Sequence, residues 1–371
     1  MHSCPLASPD PTNIGSASAP RARVLTGDTP TGRLHLGHWV GSLEKRVAMQ
    51  ESYDCYFLLA NMHAYTTRFD KTAGIRADTI EIVKDWLAAG IDPEKCKIVL
   101  QTEVPAIAEL TWYFAMLLGF RDVMGNPTLV HELKTKNLED RYSFGFPMYT
   151  VGQCADILAF RPVYIPVGED QEPHIEMCRK VARKFDQLYC NVSDRTPDEE
   201  YEKAGGLFPI PKALIGRIAR LPGVGDGTNK MSKSLNNAIF LSDSAKDVQK
   251  KINKITTGRQ SPTEPGDCNN VLFKFVEAFI PDTARIAELK DKYTRGDNIG
   301  DGHIKQELAE NINILLEPMR VRRARFEQPD GEGLVLDIIK SGTARANITA
   351  EETLYRAKQA MKMDFGSRVL R

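Results

Sequence analysis

The feature that most constrains this chain is a pair of short segments far apart along it: Thr26-Gly-Asp-Thr-Pro-Thr-Gly-Arg-Leu-His35-Leu-Gly-His38 and Lys230-Met-Ser-Lys-Ser234. The first follows the apolar pair Val24 and Leu25 and precedes a helical pattern from Trp39, so it reads as strand, glycine-rich turn and helix start. Gly27, Gly32 and Gly37 let backbone approach a ligand closely, and a helix N-terminus offers unpaired N–H groups. His35 and His38 can hydrogen-bond phosphate or ribose, which makes a nucleotide the expected ligand. His-x-Gly-His is a weak signal by itself; the lysine-bearing pentapeptide, in a polar, glycine-rich loop over residues 223–237, is a strong one. The bland alternative is a surface histidine pair and a solvated basic loop, which the ordered pairing of the two segments disfavours.

Between them the chain alternates strand and helix signals. Cys55-Tyr-Phe-Leu-Leu-Ala60 suits a strand buried on both faces and ends at Asn61-Met-His63. Ile80, Ile82, Val83, Trp86 and Leu87 then recur at helical spacing over 75–89, closed by Gly90 and the Asp92-Pro93 turn. Lys97 to Gln101 is a further strand and 106–120 a further helix. Such alternation predicts a parallel sheet with right-handed crossovers and ligands at the carboxyl ends of its strands, where His63 falls. Residues 126–141 form a polar, basic stretch with Lys134 and Lys136, after which Pro147 opens an apolar helix to Phe160. Tyr149, Gln153 and Asp156 share one face of that helix, and an acid there must be paired if buried. Val163-Tyr-Ile-Pro-Val167-Gly168 is a strand ending at Glu169-Asp170-Gln171, followed by a helix to Phe185.

Beyond the lysine loop only helices are expected: from a cap at Ser242 or Asp243 to Ile255, then 271–280, 304–326 and 333–363. Arg320, Arg322, Arg323 and Arg325 form a basic cluster there. A basic helical region beside a nucleotide-binding sheet suits an RNA partner, although a solvated helix face is the better reading of any one of these charges. Length, 371 residues, allows two domains, and 49 basic against 49 acidic residues confine any RNA-binding surface to a local patch. The seven cysteines show no Cys-x-x-Cys spacing, which fits reduced thiols of a cytoplasmic protein and predicts no zinc site. No apolar run is long enough to span a membrane, and residues 1–22, rich in Ser, Pro and Ala, read as a disordered extension.

From about Arg23 onward the chain resembles the bacterial-type tryptophanyl-tRNA synthetases, a class I aminoacyl-tRNA synthetase family. The resemblance rests on the two signature segments, on Gly90-Ile-Asp-Pro and Ala155-Asp-Ile-Leu, and on Val167-Gly-Glu-Asp-Gln171-Glu-Pro-His-Ile-Glu176. It implies an α/β fold: a Rossmann-like catalytic domain over 23–228, the Lys-Met-Ser-Lys-Ser loop over 229–237, and an all-α tRNA anticodon-binding domain over 238–342. A C-terminal helix over 343–371 would pack back on the catalytic domain. It further implies ATP with Mg²⁺, L-tryptophan and tRNA(Trp) as substrates, a homodimer, and no membrane association.

By the same resemblance Asp156 accepts the indole N–H, with Tyr149, Gln153, His63, Gln171 and Val167 around the amino acid. Thr29, Gly37, His38, Asp170, Lys230, Met231, Ser232, Lys233 and Ser234 would bind ATP, and Lys230, Lys233, Lys136, His35 and His38 would serve catalysis. The residues themselves leave tryptophan and tyrosine open, since a carboxylate accepts a phenol O–H as readily as an indole N–H. A tyrosyl enzyme, a duplicate synthetase with a regulatory role and a smaller nucleotidylyltransferase are the alternatives. The chain departs from the family at Gln153, commonly Met, at Thr29, commonly Gln, and at Asn61, commonly Asp. Some relatives carry an iron–sulfur cluster in the helical part; here Cys268 stands alone, so no cluster is expected.

Overall fold

The computed structural model describes residues 21–138, 141–168, 171–215, 221–225, 227, 229, 231–233 and 235–366. Strands β1 (Arg23–Asp28), β2 (Asp54–Leu59), β3 (Cys96–Leu100), β4 (Tyr164–Val167) and β5 (Lys212–Ile215) form one parallel sheet in the order β3-β2-β1-β4-β5. Chain direction across the sheet reverses between β1 and β4, and the crevice beyond their carboxyl ends is where a sheet of this kind binds ligands. The fold is therefore the Rossmann-like α/β arrangement expected from the strand–helix alternation.

Because side chains alternate across a strand, the sheet feeds two apolar layers. Val24, Cys55, Phe57, Cys96 and Ile98 point to one face, Leu25, Tyr56, Leu58 and Val99 to the other. Between β1 and β2 run α1 (Leu36–His38), a wide π turn (Trp39–Leu43) and α2 (Glu44–Met49). Next come α3 (Asn61–Arg68) and α4 (Thr72–Ala89), the latter closed by left-handed Gly90 with Ile91 N–H reaching back to Trp86 O at 3.0 Å. Then follow α5 (Pro105–Ala115), α6 (Phe120–Met124), α7 (Pro127–Thr135), α8 (Gly145–Leu158) and α9 (Glu172–Tyr189). Helices α5, α8 and α9 cover the second layer.

After the sheet the chain is helical: α10 (Ala245–Asn253), α11 (Val271–Phe279), α12 (Thr283–Arg295), α13 (Asp301–Ala324) and α14 (Gly331–Ala360). Val248, Phe273, Leu316 and Ile339 from these helices join the apolar cluster that contains Val24 and Phe57, so the helical half shares its core with one face of the sheet. α14 lies along β3: Thr343 Oγ1 accepts the N–H of Leu100 at 3.0 Å, and Arg345 donates to Pro93 O and Cys96 O at 2.6 and 2.8 Å. It thereby covers the open edge of the sheet with a helix.

Three sequence expectations change. The cap of α10 is Ser244, whose hydroxyl accepts Asp247 N–H at 3.2 Å, rather than Ser242 or Asp243. His63, just beyond the carboxyl end of β2, belongs to the first turn of α3 rather than to the strand itself. The basic stretch after Asn126 contains a capped helix, α7, in which the Asn126 side chain accepts the N–H groups of Thr128 and Leu129.

Candidate active site

Residues 29–35, between β1 and α1, form the floor of the crevice. Gly32 sits at φ +97°, a left-handed backbone that favours glycine. Asp28 closes β1: its carboxylate accepts Arg46 at 2.7 Å and Trp86 Nε1 at 2.9 Å. Burial works to raise its pKa, but Arg46 and His38 outweigh that and bring it down to about 2.

His35 and His38 lie against each other with ring centroids 3.8 Å apart and planes tilted by 45°, and His38 Nδ1 accepts the His35 N–H at 3.1 Å. Burial pushes the pKa of His38 down to about 4, with Lys233 adding to the effect and Asp28 opposing it. A neutral imidazole that accepts at Nδ1 carries its proton on Nε2, so His38 can donate to a phosphate or ribose oxygen.

The lysine loop folds onto this floor. Lys233 Nζ donates to Thr31 O, Thr31 Oγ1 and Gly32 O at 3.0, 3.2 and 2.7 Å. A backbone bridge pairs His35 with Phe240, with Leu36 N–H to Ile239 O at 2.9 Å and Leu241 N–H to Leu34 O at 3.0 Å. Gly37 is needed here, since a Cβ on it would meet the His35 ring at 3.0 Å and Met231 Cβ at 3.7 Å. Met231 is buried, and Ser232 N–H is held by Asn237 Oδ1 at 2.8 Å. Burial lowers the pKa of Lys233, whose nearest partners are neutral oxygens. Thr29 lies in the loop after β1. Lys230, Ser234 and Asp170 lie outside the described residues.

A cavity of about 680 Å³ opens between α3, α5 and α8. Asp156, Tyr149, His63 and Gln101 are among its walls. Asp156 is 5% exposed; both its oxygens accept Gln101 Nε2, at 2.8 and 2.9 Å, and the Gln101 carbonyl oxygen accepts Met62 N–H and His63 N–H at 2.9 and 3.3 Å. Burial raises the pKa of Asp156 to about 7 against the lowering effect of the Gln101 hydrogen bond. His63, 4.3 Å from the Tyr149 ring between centroids, is driven down to about 4 by burial and by Lys136.

Gln101 is absent from the residues that sequence singles out; its place directly after an apolar strand was the available signal. Gln153, Gln171 and Val167 stand apart from this cavity, toward β4 and α9, where Gln153 Nε2 donates to Gln171 Oε1 at 3.3 Å. Lys136 falls at the end of α7, paired with Glu132 at 3.2 Å and near His63, rather than on the histidine loop.

Comparison with known proteins decides the family. The model of tRNA synthetases class I (W and Y) matches residues 17–317. The chain is 40% identical to the tryptophan–tRNA ligase of Treponema pallidum, over 91% of this chain and 96% of that one. The chain belongs to the tryptophan–tRNA ligase family of class I synthetases. It is 38% identical to the tryptophan–tRNA ligase of Clostridium longisporum, over 92% of this chain and 97% of that one. Among solved structures, the tryptophanyl-tRNA synthetase of Campylobacter jejuni with ADP and tryptophan is similar at a TM-score of 0.74 and 29% identity, covering 92% of this chain and 99% of that one. The tyrosyl-tRNA synthetase of Aeropyrum pernix, at a TM-score of 0.60 and 22% identity, shares the fold.

Proposed function

We propose that this protein activates L-tryptophan with MgATP and transfers it to tRNA(Trp). The observation that carries the reading is the seating of Lys233 on the Thr31–Gly32 carbonyls, which draws the two motif-bearing segments into one crevice at the sheet's switch point. The tryptophan carboxylate attacks the α-phosphorus in line, the bond to the β-phosphate oxygen breaks, and pyrophosphate leaves with Mg²⁺. No general base is required, because that carboxylate is already ionised at neutral pH. Charge accumulating on the α- and β-phosphates is what needs stabilising, and Lys233, Lys230, His38 and the N–H groups after Gly37 supply it. Phosphate oxygens hold an ammonium more strongly than neutral carbonyls do, so entering ATP draws Lys233 off the loop. Asp170, Ser234 and Thr29 would complete the nucleotide site, and Lys136 would meet the leaving pyrophosphate.

Asp156 is the acceptor for the indole N–H, flanked by Tyr149 and His63, while Gln153, Gln171 and Val167 line the path toward the α-phosphate. A ribose hydroxyl of the terminal adenosine then attacks the adenylate carbonyl and releases AMP, with the helical region 238–342 holding the anticodon and 343–371 bracing the sheet. Trp112, Met116 and Phe120, 65, 67 and 76% exposed, support a homodimer through this side of the sheet domain. None of the described helices is long and apolar enough to cross a membrane, and the proposed place of work is the cytoplasm.

ATP–pyrophosphate exchange with each amino acid, followed by charging of tRNA, tests the proposal. Tryptophan alone should support exchange; equal exchange with tyrosine, or none with tryptophan, would refute it. Exchange without tRNA charging would point instead to a duplicate with a regulatory role.

A further inference from the structure

The arginine cluster that the sequence suggests for RNA is engaged internally. Arg320 donates to Asp243 O and Asn313 Oδ1 at 2.8 and 2.6 Å, Arg322 to Ala88 O at 2.6 Å, and Arg325 to Asp330 at 3.0 and 2.9 Å. Arg323, 6% exposed, reaches from α13 to α4, where it pairs with Asp85 and with Glu81 at 2.5 Å, and it also pairs with Glu327, in the turn after α13, at 3.0 Å. Asp85 is fully buried, and its other oxygen accepts the N–H of Leu34 at 2.6 Å. Leu34 is the residue before His35; its carbonyl accepts Leu241 N–H, and its neighbour Arg33 reaches Glu81 at 3.3 Å. Both backbone groups of Leu34 are thus held, one by a carboxylate whose charge is balanced from the helical half of the chain.

A buried carboxylate that loses its cation either takes up a proton or turns away. We propose that Arg323 is a positioning residue for the nucleotide loop: it keeps Asp85 ionised and aimed at the Leu34 amide, so that the docking of α13 on α4 sets where His35 and His38 stand. The inference rests on that loop being the ATP site. Since α13 lies in the region proposed to hold tRNA, this strut also gives RNA binding a physical path to the activation site.

The test uses full-length Arg323→Met, Arg323→Lys, Asp85→Asn and the double variant Arg323→Met/Asp85→Asn in tryptophan-dependent ATP–pyrophosphate exchange. Arg323→Met and Asp85→Asn should each raise the ATP KM about tenfold and leave the tryptophan KM within about twofold. Arg323→Lys, which keeps the charge but not the planar fork, should fall between wild type and Arg323→Met. The double variant should be no worse than the worse single one, because both remove the same strut. Penalties that add, KM values for ATP and tryptophan that rise together, or an unchanged ATP KM in Asp85→Asn overturn the proposal. Asp85→Asn nearly preserves shape and decides the matter even if Arg323→Met fails to fold. Wild-type exchange with unchanged variant KM values sinks only this strut, whereas absence of wild-type exchange with tryptophan sinks the proposed function.

Discussion

Gln101 donates from one nitrogen to both oxygens of Asp156 while its carbonyl accepts two backbone N–H groups of α3. Turning the amide over would set oxygen against oxygen and N–H₂ against N–H, so this polarity is fixed, and it favours Asp156 as an ionised acceptor. Burial holds the Asp156 pKa near 7, whereas His38 and His63 sit near 4 and stay neutral above about pH 5. Calorimetric tryptophan binding without ATP should therefore weaken about tenfold for each pH unit below about 7, and Asp156→Asn should flatten that profile. The stability effect has the opposite sign. The folded state binds this proton more tightly than the unfolded one, so ionisation costs stability as pH climbs from the ordinary carboxylate range through about 7. At pH 8 Asp156→Asn should gain on the order of a few kcal/mol in chemical denaturation while binding tryptophan worse. Gln101→Leu leaves Asp156 without its donor and should raise the tryptophan Kd about tenfold or more, with the ATP KM within about twofold.

Segments, rather than single side chains, bring the two signature motifs together: the bridge from His35 to Phe240 carries the chain past the loop, and Lys233 then drops onto it. Lys233→Ala should leave tryptophan binding intact and slow adenylate formation about a hundredfold or more in pyrophosphate exchange, the usual scale for one charge contact made in the transition state. Strands β1 to β4 were legible because each buries both faces and shows as an apolar run. β5 was not: its four residues, Lys212–Ile215, are all half-buried and follow a proline-rich turn. α7 buries only Leu129 and Leu133, so its signal was the Asn126-Pro127 cap and not periodicity. α12 was passed over in the same way, with Asp282 capping a helix whose buried side chains are Leu289 and Tyr293. In the site, residues carried by motifs were legible, whereas Gln101 and Asp85 act through hydrogen bonds to partners 55 and 51 positions away, which no local pattern encodes.

Across the whole molecule, α14 returns from the helical half to cover the edge of the sheet, and it does so at van der Waals contact. A Cβ on Gly342 would stand 2.3 Å from Ile98 O and 2.7 Å from Ile98 N, both backbone atoms of β3 that cannot step aside. Next to it, Thr343 holds the Leu100 amide, and Leu100 precedes Gln101, the donor to Asp156. The approach of one helix is thus linked through Thr343, Leu100 and Gln101 to the amino-acid pocket. Gly342→Ala should push α14 off β3, cost about 1–3 kcal/mol, lower the thermal midpoint by a few degrees, and raise the tryptophan Kd more than the ATP KM. Gly302→Ala is the control: it lies in α13 with open space where the Cβ would go, so it should be neutral or stabilise by up to about 1 kcal/mol. If Gly342→Ala matched Gly302→Ala in midpoint and in tryptophan binding, the helix would be resting on the sheet without bracing the site.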